Sequence, residues 1–291
     1  MHILRARGDM VLPIAWTGIA ATLLKGGKTV HSQFLLPLNI NETSISNIKE
    51  SHKKAKLIRK CKLIIWDEAP MSSVHALNCV DKLLRLLMKN DIPFGGKCIV
   101  LGGDFRQILT VVHHGSKTMI LERCIKNSPV WPYFRVLKLT INMRTGLNER
   151  LFSDWLIKLG DGSLQTHDDI GEQMIKIPNE CIETESIEDA IFPSNEIDNI
   201  DLIKNKCILC PKNDDTLNLN ERILERLKGV SETYLSVDSV QSDDQDEENN
   251  IPIDFLYSIT PSGMPPHRLN LKVGSIVILL RNLNLNEGNF Y

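Results

Sequence analysis

Short, continuous apolar runs recur through the first half of the chain, and each ends in small or polar residues. Val11-Leu12-Pro13-Ile14-Ala15, Lys62-Leu63-Ile64-Ile65-Trp66, Cys98-Ile99-Val100-Leu101 and Val136-Leu137-Lys138-Leu139 are predicted strands. Their lack of in-out alternation suits strands covered on both faces of a parallel sheet. Between the second and third runs the period changes. Leu77, Val80, Leu84, Leu87 and Met88 fall on one helical stripe, with Asp81, Lys82 and Arg85 facing away and Ser72 or Ser73 available as a cap. A second amphipathic helix is predicted over Leu151, Trp155, Leu156 and Leu159, stopped by Gly160 and Gly162. Strand, helix, strand in this order predicts an α/β fold with its chemistry at the carboxyl ends of the strands.

The pattern weakens after residue 160. Residues 161–205 mix acidic stretches with Pro178 and Pro193 and read as a connecting region between a first domain, 1–160, and a partial second one, 206–291. The second unit starts at the run Cys207-Ile208-Leu209-Cys210-Pro211, continues in a helix over Leu217–Leu227, and ends in a predicted strand at 274–280. The acidic run 242–248 between them reads as a solvated loop.

The chain has 291 residues and a formal net charge of −2, so overall charge does not advertise a nucleic-acid partner and any such contact must be local. Seven cysteines are scattered along it. Cys207 and Cys210 form a CxxC, but no second Cys or His pair stands at zinc-finger spacing, and buried reduced thiols are the expected reading. No apolar run approaches the roughly 20 residues that span a bilayer, and Met1–Arg5 opens without the apolar core of a signal peptide, so no membrane partner is expected.

The candidate chemistry lies at three strand ends. Four apolar residues followed by Asp67-Glu68 describe a Walker B element. The strand would carry Asp67 to a nucleotide, where it holds Mg²⁺, and Glu68 would orient or deprotonate the attacking water. The plainer reading is a strand ending in two solvated acids. The next strand ends in Gly102-Gly103-Asp104-Phe105-Arg106-Gln107. Gln107 there can sense a γ-phosphate, and the glycines allow close backbone approach to a ligand; alternatively this is a turn. The fourth ends in Asn142-Met143-Arg144, where Arg144 can act as an arginine finger or pair at the surface. The three polar ends in sequence argue more strongly than any one of them.

With these motifs the chain resembles the Pif-one family of superfamily-one DNA helicases, in the variant carried by Helitron transposons. The resemblance rests on Trp16–Ala21, Gly26–Ser32, Asp67–Met71, Gly102–Gln107, Leu139–Arg144, Pro211–Asp215, Thr260–His267, Leu271–Gly274 and Leu280–Leu283, in the family's order and over nearly the whole chain. It implies tandem RecA-like P-loop NTPase domains, ATP hydrolysis with Mg²⁺, and 5′-to-3′ movement on single-stranded DNA. It also implies nuclear roles in repair, recombination and telomere maintenance. By resemblance Asp67 and Glu68 are the metal and catalytic acids, Gln107 the γ-phosphate sensor and Arg144 the first arginine finger. Thr17, Gly18, His31 and Ser32 would lie along the DNA strand, where main-chain amides and small hydroxyls suit phosphate contact without base readout. Thr17-Gly18 also reads simply as the opening of a helix.

Two family elements are not matched. The phosphate loop should precede the strand at Val11. Gly27-Lys28-Thr29 resembles its tail, but position 22, where the loop needs Gly, is Thr, and the segment follows a helix. Past Leu283 the family continues to a second arginine finger. The first domain is therefore expected to lack its phosphate loop and the second to be incomplete, with weak or absent turnover. A non-catalytic module binding single-stranded DNA or a partner is the competing expectation, and an unrelated P-loop ATPase a more distant one. The run Lys53, Lys54, Lys56, Arg59, Lys60 is expected to be a solvated helix face rather than a DNA patch.

Overall fold

A computed structural model of the protein describes residues 1–107, 109–112, 115–146, 149–164, 174–239, 252–260 and 264–279. The apolar strands pair as their composition demands. Strand β1 (Val11–Ala15) lies between β2 (Lys28–Thr29) and β3 (Leu63–Asp67), and β4 (Cys98–Leu101) pairs with β3, giving the order β2-β1-β3-β4 with every pair parallel. The register sets Ala15 beside both Thr29 and Asp67, and Trp66 beside Leu101, so the polar strand ends line up at one edge of the sheet. Helix α1 (His2–Ala6) precedes β1; the crossover connections that parallel strands need carry the short helices α2 (Gly18–Thr22), α3 (Val30–Phe34) and α4 (Lys53–Lys60) and the longer α5 (Val74–Met88).

Helix α5 lies where its period predicts. Leu77, Val80, Leu84 and Leu87 are buried with Ile14, Phe34, Ile64 and Trp66 in one core. Ser73 caps it by accepting from the Ala76 amide, while Ser72 turns inward and accepts from the Trp66 indole N–H at 3.1 Å. Asp81 departs from expectation: it is buried, not solvent-facing. Its carboxylate accepts from the Phe94 amide at 2.5 Å and from Arg85 Nε at 2.8 Å, which closes the tight 93–96 turn onto the helix. A buried carboxylate with two donors is satisfied where a bare one would be expelled.

The strand expected at Val136–Leu139 does not form. Residues 135–140 have no regular structure, and Val136, Leu137, Leu139 and Ile141 are exposed, Leu139 fully. Strand-forming residues need a neighbouring ladder, and none of the described strands pairs with this stretch; β4 is an outer strand. Helices α6 (Lys117–Glu122) and α7 (Arg150–Gly160) follow. The latter stops at Gly160 as predicted, but Leu151, Leu156 and Leu159 remain exposed, and Phe152 stacks on Trp155.

The chain divides into two compact units, 1–166 and 167–290. In the second, residues assigned to a connector carry structure. Helices α8 (Ile187–Ile191) and α9 (Ile200–Ile203) help to bury Phe192, Ile197 and Ile203 with Leu227. Ion pairs from Arg222 to Glu188 and from Arg226 to Asp189 tie α8 to α10 (Asn213–Arg226). The expected helix at Leu217–Leu227 thus begins earlier, at Asn213, and residues 207–211 form no strand. Cys207 is exposed rather than buried. The unit's sheet is an antiparallel pair, β5 (Ser231–Leu235) and β6 (Arg268–Lys272). Residues 275–279 are not a strand; Leu280, the acidic run 242–248 and the matched segments 261–263 and 280–283 lie outside the described residues.

Candidate functional site

Strand β3 ends by turning sharply. Glu68 follows Asp67 with φ 50° and ψ 39°, a left-handed backbone that costs a β-carbon-bearing residue roughly 1–2 kcal/mol. The turn is held from two sides. The Glu68 amide donates to Asp67 Oδ1 at 3.1 Å, and a 3₁₀ turn over Ala69–Met71 follows directly. Across the sheet, the Gly102 amide donates to the Trp66 carbonyl at 2.8 Å and the Ala69 amide donates to the Gly102 carbonyl at 2.9 Å. The acid pair and the end of β4 are thereby one backbone unit.

Gly102 and Gly103 also have a packing role beside the one expected. A β-carbon on Gly102 would lie 3.2 Å from Asp67 Oδ1, and one on Gly103, at φ 145°, would lie 2.3 Å from Pro70 Cδ. The glycines make room for the neighbouring acid-bearing turn rather than for a ligand alone. Gly103→Ala is expected to cost about 2–4 kcal/mol, from overpacking against Pro70 plus backbone strain. Gly18→Ala, where an added β-carbon meets nothing within 4 Å, should be neutral or slightly stabilising. Urea unfolding of the two variants side by side checks this contrast.

Two carboxylates stand together at the strand end. No group of three or more His, Cys, Asp or Glu is gathered anywhere among the described residues. An oxygen-only set of one or two carboxylates fits Mg²⁺, which completes its shell with water and substrate phosphate. The donor set suits Mg²⁺ better than zinc, which takes three or four protein ligands.

The other predicted residues are spread more widely. Gln107 lies exposed in the turn beyond β4, its amide donating to the Asp104 carbonyl at 3.2 Å. Its neighbour Arg106 pairs with Asp161 at 2.6 Å, an ion pair that raises the Arg106 pKa and ties the turn to the end of α7. Arg144 sits in the exposed stretch before α7. Asn142 holds it, accepting from the Arg144 amide at 2.9 Å while donating to the buried Ser153 hydroxyl at 2.7 Å. Among the described residues, no hydrogen bond or ion pair joins Gln107 or Arg144 to Asp67 or Glu68.

The DNA candidates cluster at the ends of β1 and β2. Thr17 caps α2, its hydroxyl accepting from Ala20 N at 3.2 Å, which is the helix-opening role the sequence offered. Thr29 caps α3 in the same way, accepting from Ser32 N. The Trp16 and His31 rings meet at 4.6 Å. Burial lowers the His31 pKa, so the ring is neutral at pH 7 and offers stacking and hydrogen bonding rather than charge. Gly18 and Ser32 are exposed beside them.

Sequence reasoning missed the Trp66–Ser72 bond, the Ala69–Gly102 bond, the Arg106–Asp161 pair and the left-handed Glu68. The spacing of Trp66 and Ser72, six residues apart across a turn, was the one available hint for the first; the others join distant segments or depend on backbone angles.

Comparison with known proteins places the chain in a family. Residues 1–170 match the family model described as PIF1-like helicase, and residues 254–289 match that of the DNA helicase Pif1 2B domain. The ATP-dependent DNA helicase Pif1 of Bdellovibrio bacteriovorus is 27% identical over 92% of this chain and 53% of its own length. The ATP-dependent DNA helicase PIF1 of Danio rerio is 25% identical over 94% of this chain and 37% of its own. The crystal structure of Bacteroides Pif1 bound to ssDNA superposes with a TM-score of 0.61 at 23% identity, covering 94% of this chain and 56% of that one. The structure with ADP-AlF3 and ssDNA gives 0.58 at 22% identity, covering 83% and 53%. The chain thus spans about half the length, or less, of the relatives it matches, and the likeness to the solved structures shows a shared α/β fold.

Proposed function

Because this chain belongs to the PIF1-like helicase family, we propose that it carries the ATP-hydrolysis and DNA-tracking surfaces of an ATP-dependent, 5′-to-3′ DNA helicase motor. The observation that carries this reading is the Asp67-Glu68 turn at the carboxyl end of β3, bonded through Ala69 to Gly102 at the end of β4. That is where open parallel sheets bind ligands.

In this mechanism Asp67 would hold the Mg²⁺ of Mg·ATP, which when bound would supply charge that offsets the phosphates. Glu68, fixed by its left-handed turn beside Asp67, orients the attacking water and accepts its proton. Gln107 senses the γ-phosphate from the turn after β4. Arg144, shaped by Asn142, approaches the same phosphate and stabilises its developing charge once nucleotide draws the exposed segment in. Thr17, Gly18, His31 and Ser32 follow the backbone of single-stranded DNA, giving affinity without sequence preference. The cellular setting proposed is nuclear DNA repair, recombination and telomere maintenance, and the Helitron-type variant rests on the segments quoted above.

The sequence holds no Gly-x4-Gly-Lys-Ser/Thr run, the loop whose amides and lysine cradle nucleotide phosphates. The 291-residue polypeptide by itself is therefore expected to hydrolyse Mg·ATP slowly or not at all. Joining a family phosphate-loop strand ahead of Met1 should produce hydrolysis stimulated by single-stranded DNA. Brisk turnover by the unextended chain would show the loop to be dispensable. Silence of both forms, with single-stranded DNA still bound, would give the function to a non-catalytic binding module.

A further inference from the structure

The basic run on α4 does not act as one solvated face. Arg59 is tied into the fold: it donates to the carbonyls of Leu87 at 3.2 Å and Glu50 at 3.0 Å and pairs with the Glu50 carboxylate. Lys54 instead turns across to the α3 segment, where its ammonium donates to the Ser32 carbonyl. It also lies within Coulombic reach of Lys28, the exposed residue that opens β2. Partial burial, and then the like charge of Lys28, lower the Lys54 pKa. Among the described residues no carboxylate pairs with either lysine. A partly desolvated ammonium held on the Ser32 carbonyl, with a second lysine at the strand that opens the same segment, is favoured by an anion that joins them. Lys54 reaches Ser32, the next residue after His31, whose ring meets Trp16, so an anion bound there continues the path traced by Thr17, Gly18, His31 and Ser32.

We propose that Lys54 and Lys28 form a phosphate clamp for the backbone of a single DNA strand, with Trp16 and His31 as the neighbouring aromatic surface. This rests on the DNA reading of residues 17–32 above. Lysine ammoniums contribute charge and no base readout, so the clamp adds affinity that salt weakens and leaves sequence preference unchanged. A free phosphate or the phosphates of a mononucleotide would present the same chemistry, and the test separates these sources.

Binding of a fluorescent oligo-dT to the whole chain is measured by anisotropy across a salt series. Lys28→Gln with Lys54→Gln is expected to weaken binding about tenfold at low salt. It should also flatten the log Kd against log salt slope by about 0.7–1.4, as for one or two lost single-strand phosphate contacts. Lys53→Gln with Lys56→Gln removes the same charge from exposed positions of α4 and should change both by far less, and Lys54→Arg should keep the slope. Thermal midpoints of all variants verify folding. Equal effects of the two double variants would overturn the clamp in favour of bulk charge. An unchanged Lys28/Lys54 variant, with Thr17→Val or His31→Ala weakened, would overturn the clamp and leave the DNA reading standing. Displacement of the oligonucleotide by millimolar inorganic phosphate, lost in the Lys28/Lys54 variant alone, would reassign the pair to a free-phosphate site. No binding by the wild-type chain would remove the DNA reading itself, and the clamp with it.

Discussion

Glu68→Gln is expected to lower Mg·ATP turnover about 10²- to 10⁴-fold, the range for loss of a positioned general base. The comparison is made in whichever form of the chain hydrolyses ATP, alone or with an added phosphate loop. Gln keeps the size of the side chain and bears the same left-handed backbone that Glu68 adopts at φ 50°. The 3₁₀ turn, the Glu68 amide bond to Asp67 and the Ala69–Gly102 bond are all main-chain or neighbouring interactions that the exchange does not touch. Stability should therefore move by no more than about 0.5 kcal/mol, and nucleotide affinity should persist because Asp67 is unchanged. A variant that binds Mg·ATP, melts normally and fails to turn over assigns the proton-accepting role to Glu68. Turnover within a few-fold of the parent would move that role elsewhere and leave Glu68 as a turn residue.

Trp66→Ala is expected to remove about 3–5 kcal/mol from the stability of the first unit, a large share of the 5–15 kcal/mol typical of a domain. Trp66 is 0% exposed and is the largest fully buried side chain among the described residues, in one core with Ile14 of β1 and Leu77 and Val80 of α5. Its indole N–H also satisfies Ser72 Oγ, itself fully buried and joined through its carbonyl to Thr110 at 2.6 Å. Trp66→Phe keeps most of the volume but loses that hydrogen bond, and should cost about 1–3 kcal/mol. Chemical denaturation followed by near-ultraviolet circular dichroism ranks the two. A loss below about 1 kcal/mol for the alanine variant would mean that this residue does not anchor the core. Because Trp66 immediately precedes Asp67, the same substitution should loosen the acid turn and lower any ATPase activity in step with stability.

The strands that were legible in the sequence are the apolar runs that found a neighbouring ladder to pair with. Val11–Ala15, Leu63–Asp67 and Cys98–Leu101 are short apolar runs with polar ends, but the expected cover on both faces fails for the last, where Cys98 and Val100 are exposed on an outer strand. Helix α5 was legible through its period and its serine cap. Period alone misread Asp81, because its burial comes from the Phe94 amide of a turn thirteen residues on, which no helical wheel contains. Val136–Leu139 has the composition of a strand without a described ladder to join, so propensity lost to the need for a partner. In 161–205 the charges that suggested a linker are the ones that pair α8 with α10, and the few apolar residues between them carry the small core. For the candidate site, residue types singled out Asp67 and Glu68. Their geometry was not legible, because it depends on backbone bonds between strand ends and on a φ angle that a glutamate rarely adopts. Lys54 was lost among its neighbours, because nothing local distinguishes it from Lys53 or Lys56.

One feature of the sheet reaches beyond catalysis. Strand β4 is outermost among the described strands, Val100 on it is 49% exposed, and Val136, Leu137, Leu139 and Ile141 stand in solvent. A row of unpaired amides and carbonyls beside uncovered aliphatic side chains is a template for aggregation. Scattering that grows with protein concentration is the expected consequence of such an edge, and a dilution series checks it. Solubility and sheet completion are thus one problem.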